Sequence, residues 1–94
     1  MNINQAKYIL TILSEGSFSA AANKLFLSQS ALSQTVHAVE QSIGGKVFEK
    51  RNNKLSLTYS GELYIEAAKR IIQIEDELSR ELHSVKNECG GGLR

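Results

Sequence analysis

Apolar residues return at helical intervals along most of this chain, and the breaks between the repeats fix where each element ends. Ile3, Ala6, Ile9, Leu10 and Leu13 recur about one turn apart, which predicts a first helix that Asn2 or Asn4 caps and Gly16 ends. Ser19 stands directly before Ala20, Ala21 and Ala22, so a second helix is expected from Ala20 to Leu25 with the Ser19 hydroxyl as its cap. Leu25 and Leu27 turn the chain and Ser28 caps again. The third helix should then run from Gln29 to Ile43, where Gly44 and Gly45 stop it. Leu32, Val36, Val39 and Ile43 make one face of that helix apolar, while Gln29, Ser30, Ser33, Gln34 and His37 make the opposite face polar.

After Gly45 the period shortens from helical to alternating. Leu55 and Leu57 alternate with Lys54, Ser56 and Thr58, and Asn52-Asn53 suits the positive-φ positions of a tight hairpin, so a two-stranded wing is predicted with Lys50, Arg51 and Lys54 near its tip. From Tyr59 to about Asn87 there is no glycine after Gly61 and no proline, which predicts one long helix. Tyr64, Ile71, Leu78 and Val85 are spaced by seven, with Ala67 and Ile74 at the second seam position. Glu81 falls where the seam expects an apolar residue, and Leu82 takes over one place along. A helix this long outreaches so small a core, which favours pairing with a second copy over packing on its own domain. The fold class is therefore mainly α: a winged helix-turn-helix of three helices and a short two-stranded β wing over residues 1–58, followed by a long dimerisation helix over 59–88. The last residues, 89–94, read as a flexible linker.

Composition narrows the function. A chain of 94 residues, 41% hydrophobic, makes one small domain with a modest core. Net charge is only +1, but residues 1–61 hold six basic against three acidic side chains and residues 62–94 hold five against seven. The positive half contains the polar-faced helix, an asymmetry that favours a nucleic-acid partner and that ordinary surface variation also produces. One cysteine, Cys89, allows no internal disulfide, and no apolar run reaches membrane-spanning length. A soluble cytoplasmic protein with no membrane partner is the expectation.

Two short capped helices joined by a tight turn form a helix-turn-helix pattern. Gln and Ser at the start of its second helix are short enough to approach base edges in a major groove, and both donate and accept. The same pattern fits an amphipathic helix with a solvated face, or a helical dimer that binds another protein through it. Catalysis is not expected. Ser33 and His37 lie four apart on one helix face but have no orienting group, and His37, His83 and Cys89 lack metal-ligand spacing, so neither cofactor nor metal is anticipated.

Ser17-Phe18-Ser19, Ala21-Ala22, Leu25, the run Leu27 to Ser33, Glu40, Ile43-Gly44, Val47-Phe48, Leu57-Thr58 and Gly61 occur in the order found in the amino-terminal domain of LysR-type transcriptional regulators, which this chain resembles from about residue 3 to 88. The resemblance implies a domain that pairs through its linker helix and binds promoter inverted repeats. It also implies that Cys89 to Arg94 lead towards a separate effector-binding domain, through which a small-molecule inducer would act. Members carry proline at the position of Ser30 and arginine at those of Gln34 and Lys50, so base preference does not transfer from relatives. On this reading Gln29, Ser30, Ser33 and Gln34 meet base edges. Ser28, His37 and Thr58 lie nearer the backbone, and Arg51, Asn52 and Lys54 act from the wing, with Lys50 ranked below Arg51. Tyr64, Ala67, Ile71, Ile74, Leu78, Leu82 and Val85 form the dimer seam.

Overall fold

The computed structural model describes residues 2–88. Helix α1 spans Ile3–Glu15, α2 Phe18–Leu25 and α3 Gln29–Ile43; strands β1 (Phe48–Arg51) and β2 (Lys54–Leu57) follow, and α4 spans Tyr59–Glu88. This is the mainly helical, winged architecture that the hydrophobic pattern predicts.

Each boundary has a local cause. Asn2 caps α1, its Oδ1 accepting from the Asn4 N–H at 2.8 Å and the Gln5 N–H at 3.3 Å. Ser28 caps α3 by accepting from the Ala31 N–H at 3.1 Å. Helix α2 departs from expectation: its cap is Ser17, which accepts from the Ala20 N–H at 3.1 Å, and Ser19 lies inside the helix. The earlier start places Phe18 on the first turn, where its ring meets Phe48 edge-on at 5.8 Å. Phe26 ends α2 in the left-handed region at φ 58°, with its side chain 95% exposed at the turn into α3.

The wing is antiparallel, with Phe48 opposite Leu57, Glu49 opposite Ser56, Lys50 opposite Leu55 and Arg51 opposite Lys54. Asn52 and Asn53 take φ of 51° and 63°, the pair of positive values that a two-residue hairpin of the favoured twist requires. Asparagine tolerates that region better than other residues bearing a Cβ.

Helix α1 runs through the middle and packs on α2, α3, α4 and β2. Ile9, Ile12, Leu32, Val39 and Val47 are the largest fully buried side chains; burying each contributes roughly 1.5–3 kcal/mol. Tyr64, Ile65 and Ala68 of α4 belong to this same core. Residue 58 is thus a boundary of sequence pattern, while packing continues across it into the first half of α4. At Gly61 any side chain would overlap the Val47 carbonyl oxygen, so glycine lets α4 start flush against the base of the wing. At 30 residues, α4 is about 45 Å long. That accounts for most of the 54 Å long axis of a molecule only 26 × 22 Å across.

Candidate nucleic-acid interface

Helix α3 divides cleanly into two faces. Leu32, Val36 and Val39 are buried, whereas Gln29, Ser30, Ser33, Gln34 and His37 are all exposed. At 100° per residue those five side chains fall within an arc of about 140°. Ser28 stands exposed at the head of the arc, its oxygen accepting as the cap and lying 3.4 Å from the Ser30 hydroxyl oxygen. The helix start adds partial positive charge from unpaired amides, which favours phosphate. His37 Nε2 lies 3.4 Å from Gln41 Nε2, so Gln41 can donate to the neutral ring. That is the only oriented partner of His37 among the described residues, and it supplies nothing that would turn Ser33 into a nucleophile. No group of three or more His, Cys, Asp or Glu suited to a metal occurs among the described residues. Cys89 lies outside them.

The wing stands beside this face. One cleft, about 420 Å³, brings Ser17 and Ser19 at the start of α2 together with Gln29, Lys50 and Asn53. A second, about 460 Å³, is lined by the apolar Phe18, Val36, Phe48 and Leu55, by Ser33 and His37, and by charges of both signs, Lys46 and Lys50 with Glu40 and Glu49. Lys50 lines both because its register partner Leu55 turns that face of the wing inward. Arg51 and Lys54 lie on the opposite face, where Arg51 is held by Glu49 at 3.0 Å. Among the described residues Lys50 and Lys54 make no ion pair.

The structure thus brings Gln29, Ser33 and His37 into clefts shared with Lys50 and Asn53 of the wing, while Ser28, Ser30 and Gln34 are exposed beside them at the start of α3. It assigns Thr58 elsewhere. The Thr58 oxygen accepts from the Gly61 N–H at 2.9 Å as the cap of α4, and its hydroxyl faces the Lys46 and Val47 carbonyls, so its one proton is committed inside the fold. Sequence reading passed over Ser17, Ser19, Asn53 and Lys46. Assigning Ser19 as the cap hid it; with Ser17 in that role the Ser19 hydroxyl is free at the cleft.

Along α4 the proposed seam divides. Ile74, Leu78, Leu82 and Val85 are exposed at 63%, 53%, 52% and 39%, and Ile71 and Ala67 are partly buried. Tyr64, by contrast, is only 6% exposed and packs into its own core, so it is not a free seam residue. Leu63, one place earlier and 55% exposed, continues the outward stripe. The Tyr64 hydroxyl is buried without a hydrogen-bond partner, and this desolvation pushes its pKa above the ordinary tyrosine value. No described helix is long and apolar enough to cross a membrane.

Comparison with known proteins agrees with this geometry. The chain is 35% identical over 91 residues to a probable RuBisCO transcriptional regulator of Gracilaria tenuistipitata var. liui, covering 97% of this chain and 29% of that protein. Full-length LysG from Corynebacterium glutamicum with bound effector Arg superposes with a TM-score of 0.82 at 31% identity, over 94% of this chain and 30% of that one. The DNA-binding domain of CbnR, solved in a complex with DNA, gives a TM-score of 0.79 at 26% identity, over 90% and 98%. The chain spans 28–41% of the length of these curated relatives, which are transcriptional regulators and not enzymes. Residues 3–62 match the bacterial regulatory helix-turn-helix proteins of the lysR family, and the chain belongs to that family.

Proposed function

We propose that this chain is the sequence-specific DNA-binding region of a bacterial LysR-type transcription regulator. Helix α3 enters the major groove with Gln29, Ser30, Ser33 and Gln34 at base edges, while Ser28 and His37 stand nearer the phosphates. The wing follows the backbone or minor groove with Lys54, Arg51, Asn52 and Lys50. The carrying observation is the placement of a cationic hairpin tip beside the exposed polar start of α3, so that one approach of a duplex engages both.

A second copy docks on the outward apolar stripe of α4 through Ile74, Leu78, Leu82 and Val85. Two reading helices held at fixed separation then select an inverted repeat with one spacing. Acting on chromosomal DNA makes the cytoplasm the working compartment. This region needs no cofactor, and a small-molecule inducer acts through a further effector-binding part of the protein.

Selection of bound duplexes from a randomised pool, followed by titration of winners and scrambled controls against salt, tests this reading. An enriched inverted repeat whose binding falls steeply with salt is the expected result. Absence of salt-sensitive duplex binding would replace it with a protein-interaction role for the Gln/Ser face.

A further inference from the structure

We infer that Glu40 is the positioning residue of the wing: it fixes the root of the hairpin to the recognition helix and so sets where the wing cations stand on a bound duplex. The consequence for DNA rests on the DNA-binding reading; the hold on the hairpin does not.

The geometry centres on the peptide unit of Val47. Helix α3 ends where Gly44 turns left-handed at φ 76°, and the Glu40 carbonyl accepts from both the Gly44 N–H at 2.9 Å and the Gly45 N–H at 3.2 Å. The chain then passes back over the same residue. Glu40 Oε2 accepts from the Val47 N–H at 3.1 Å, and Oε1 lies 3.9 Å from Lys46 Nζ. One glutamate thus closes the helix with its main chain and captures the returning strand with its side chain. The far side of Val47 is held too. Its carbonyl accepts from the Thr58 N–H at 3.0 Å, and the Thr58 hydroxyl that caps α4 lies 3.2 Å from the same oxygen. With the Val47 side chain fully buried, the recognition helix, the wing root and the first turn of α4 meet at one residue. Among the described residues, the bonds from Glu40 are the polar links between α3 and the wing segment.

The position of Glu40 argues for a purpose. At 100° per residue it lies about 20° round the helix from Gln29, inside the polar arc between Gln29 and Ser33, where a free carboxylate would repel phosphate. Its side chain is only 15% exposed and its oxygens are engaged by the Val47 N–H and the Lys46 ammonium, which ties that charge to the wing root in the cleft it shares with Ser33 and His37. A four-residue strand spans roughly 13 Å. Loosening its root by about 10° would move the tip by about 2 Å, enough to break a charge-assisted hydrogen bond of about 2.8 Å.

The test uses the whole chain and a duplex from the selection above. Glu40→Ala should lower affinity roughly tenfold. Lys54→Ala should then cost almost nothing further, while Gln29→Ala costs as much as in the parent. Glu40→Gln, which keeps an oxygen acceptor for the Val47 N–H, should recover most of the affinity. Additive losses from Glu40→Ala and Lys54→Ala, or a Glu40→Gln variant as weak as Glu40→Ala, would overturn the inference. Amide exchange without DNA gives an independent readout. Glu40→Ala should speed exchange at Val47 and along β1 but not in α1, and unchanged exchange overturns the assignment whether or not the chain binds DNA. A parent chain that binds no duplex, with exchange altered as expected, would remove the DNA reading and leave the hold of Glu40 on the wing. Should Glu40→Ala not fold, Glu40→Asp, one methylene too short to reach Val47, carries the same comparisons.

Discussion

Arg51 and Lys54 face each other on the last rung of the wing, and Glu49 neutralises only Arg51, holding its guanidinium at 3.0 Å. The Arg51 side chain is 75% exposed, so this ion pair contributes little to stability, yet it competes with phosphate for the same cation. Lys54 has no such competitor among the described residues. Lys54→Ala should therefore weaken binding to all duplexes alike and reduce the salt slope by about one. Arg51→Ala should do less, and Glu49→Gln should strengthen nonspecific binding by releasing Arg51. Salt titrations on specific and scrambled duplexes check all three, and an altered base preference in Lys54→Ala would contradict a backbone role.

Gln29 lies on the first turn of α3 and lines the cleft shared with the wing. Its amide can donate and accept at once, the requirement for bidentate contact with adenine. Gln29→Ala should cost about 1–3 kcal/mol at the preferred base pair and little on a scrambled duplex. Equal loss on both duplexes would make Gln29 a backbone contact.

Ile74 is 63% exposed on the outward stripe of α4 and is not part of the buried cluster. A charge there should leave the folded protomer intact and disrupt only the seam. Ile74→Asp is expected to sediment as a monomer with unchanged helical content. An unchanged dimer would remove this stripe as the interface, and an unfolded chain would show that the stripe belongs to the core.

What the sequence made legible was local chemistry. Asn2, Ser28, Gly44 and the Asn52-Asn53 pair each mark a boundary through hydrogen bonds or backbone angles that depend on near neighbours, and all four act as expected. Choices that depend on distant partners were not legible. Ser17 and Ser19 are equivalent as caps until Phe18 meets Phe48, thirty residues on. Heptad spacing placed Tyr64 in the seam because a period alone does not tell which apolar face of a helix its own core takes, and α4 has two. Glu40 stood only among the residues of the family resemblance, with no role of its own, since nothing in a linear pattern shows a carboxylate closing on the amide of Val47. For the polar face of α3 the pattern sufficed, because burial of Leu32, Val36 and Val39 forces those side chains outward.

The buried Tyr64 hydroxyl leads to a prediction about stability at alkaline pH. With no partner for the O–H, desolvation disfavours the phenolate and raises the folded-state pKa above the value of about 10 expected in the unfolded chain. Below pH 10 both states keep the proton and this group adds no pH dependence. Above it the unfolded chain releases its proton first, so it binds fewer protons than the folded chain, and stability falls as pH rises towards the folded-state pKa. Tyr64→Phe keeps the ring in the core and deletes both the orphan hydroxyl and the titration. Denaturant unfolding at neutral pH should show the variant as stable as the parent or more so, by about 1 kcal/mol, because an unsatisfied buried hydroxyl is no longer desolvated on folding. Repeated at pH 10 to 11, the same measurement should show a shallower loss for Tyr64→Phe than for the parent. A clear loss of stability at neutral pH would mean that the hydroxyl has a partner in solution, and parallel pH profiles would mean that Tyr64 is not the group that titrates.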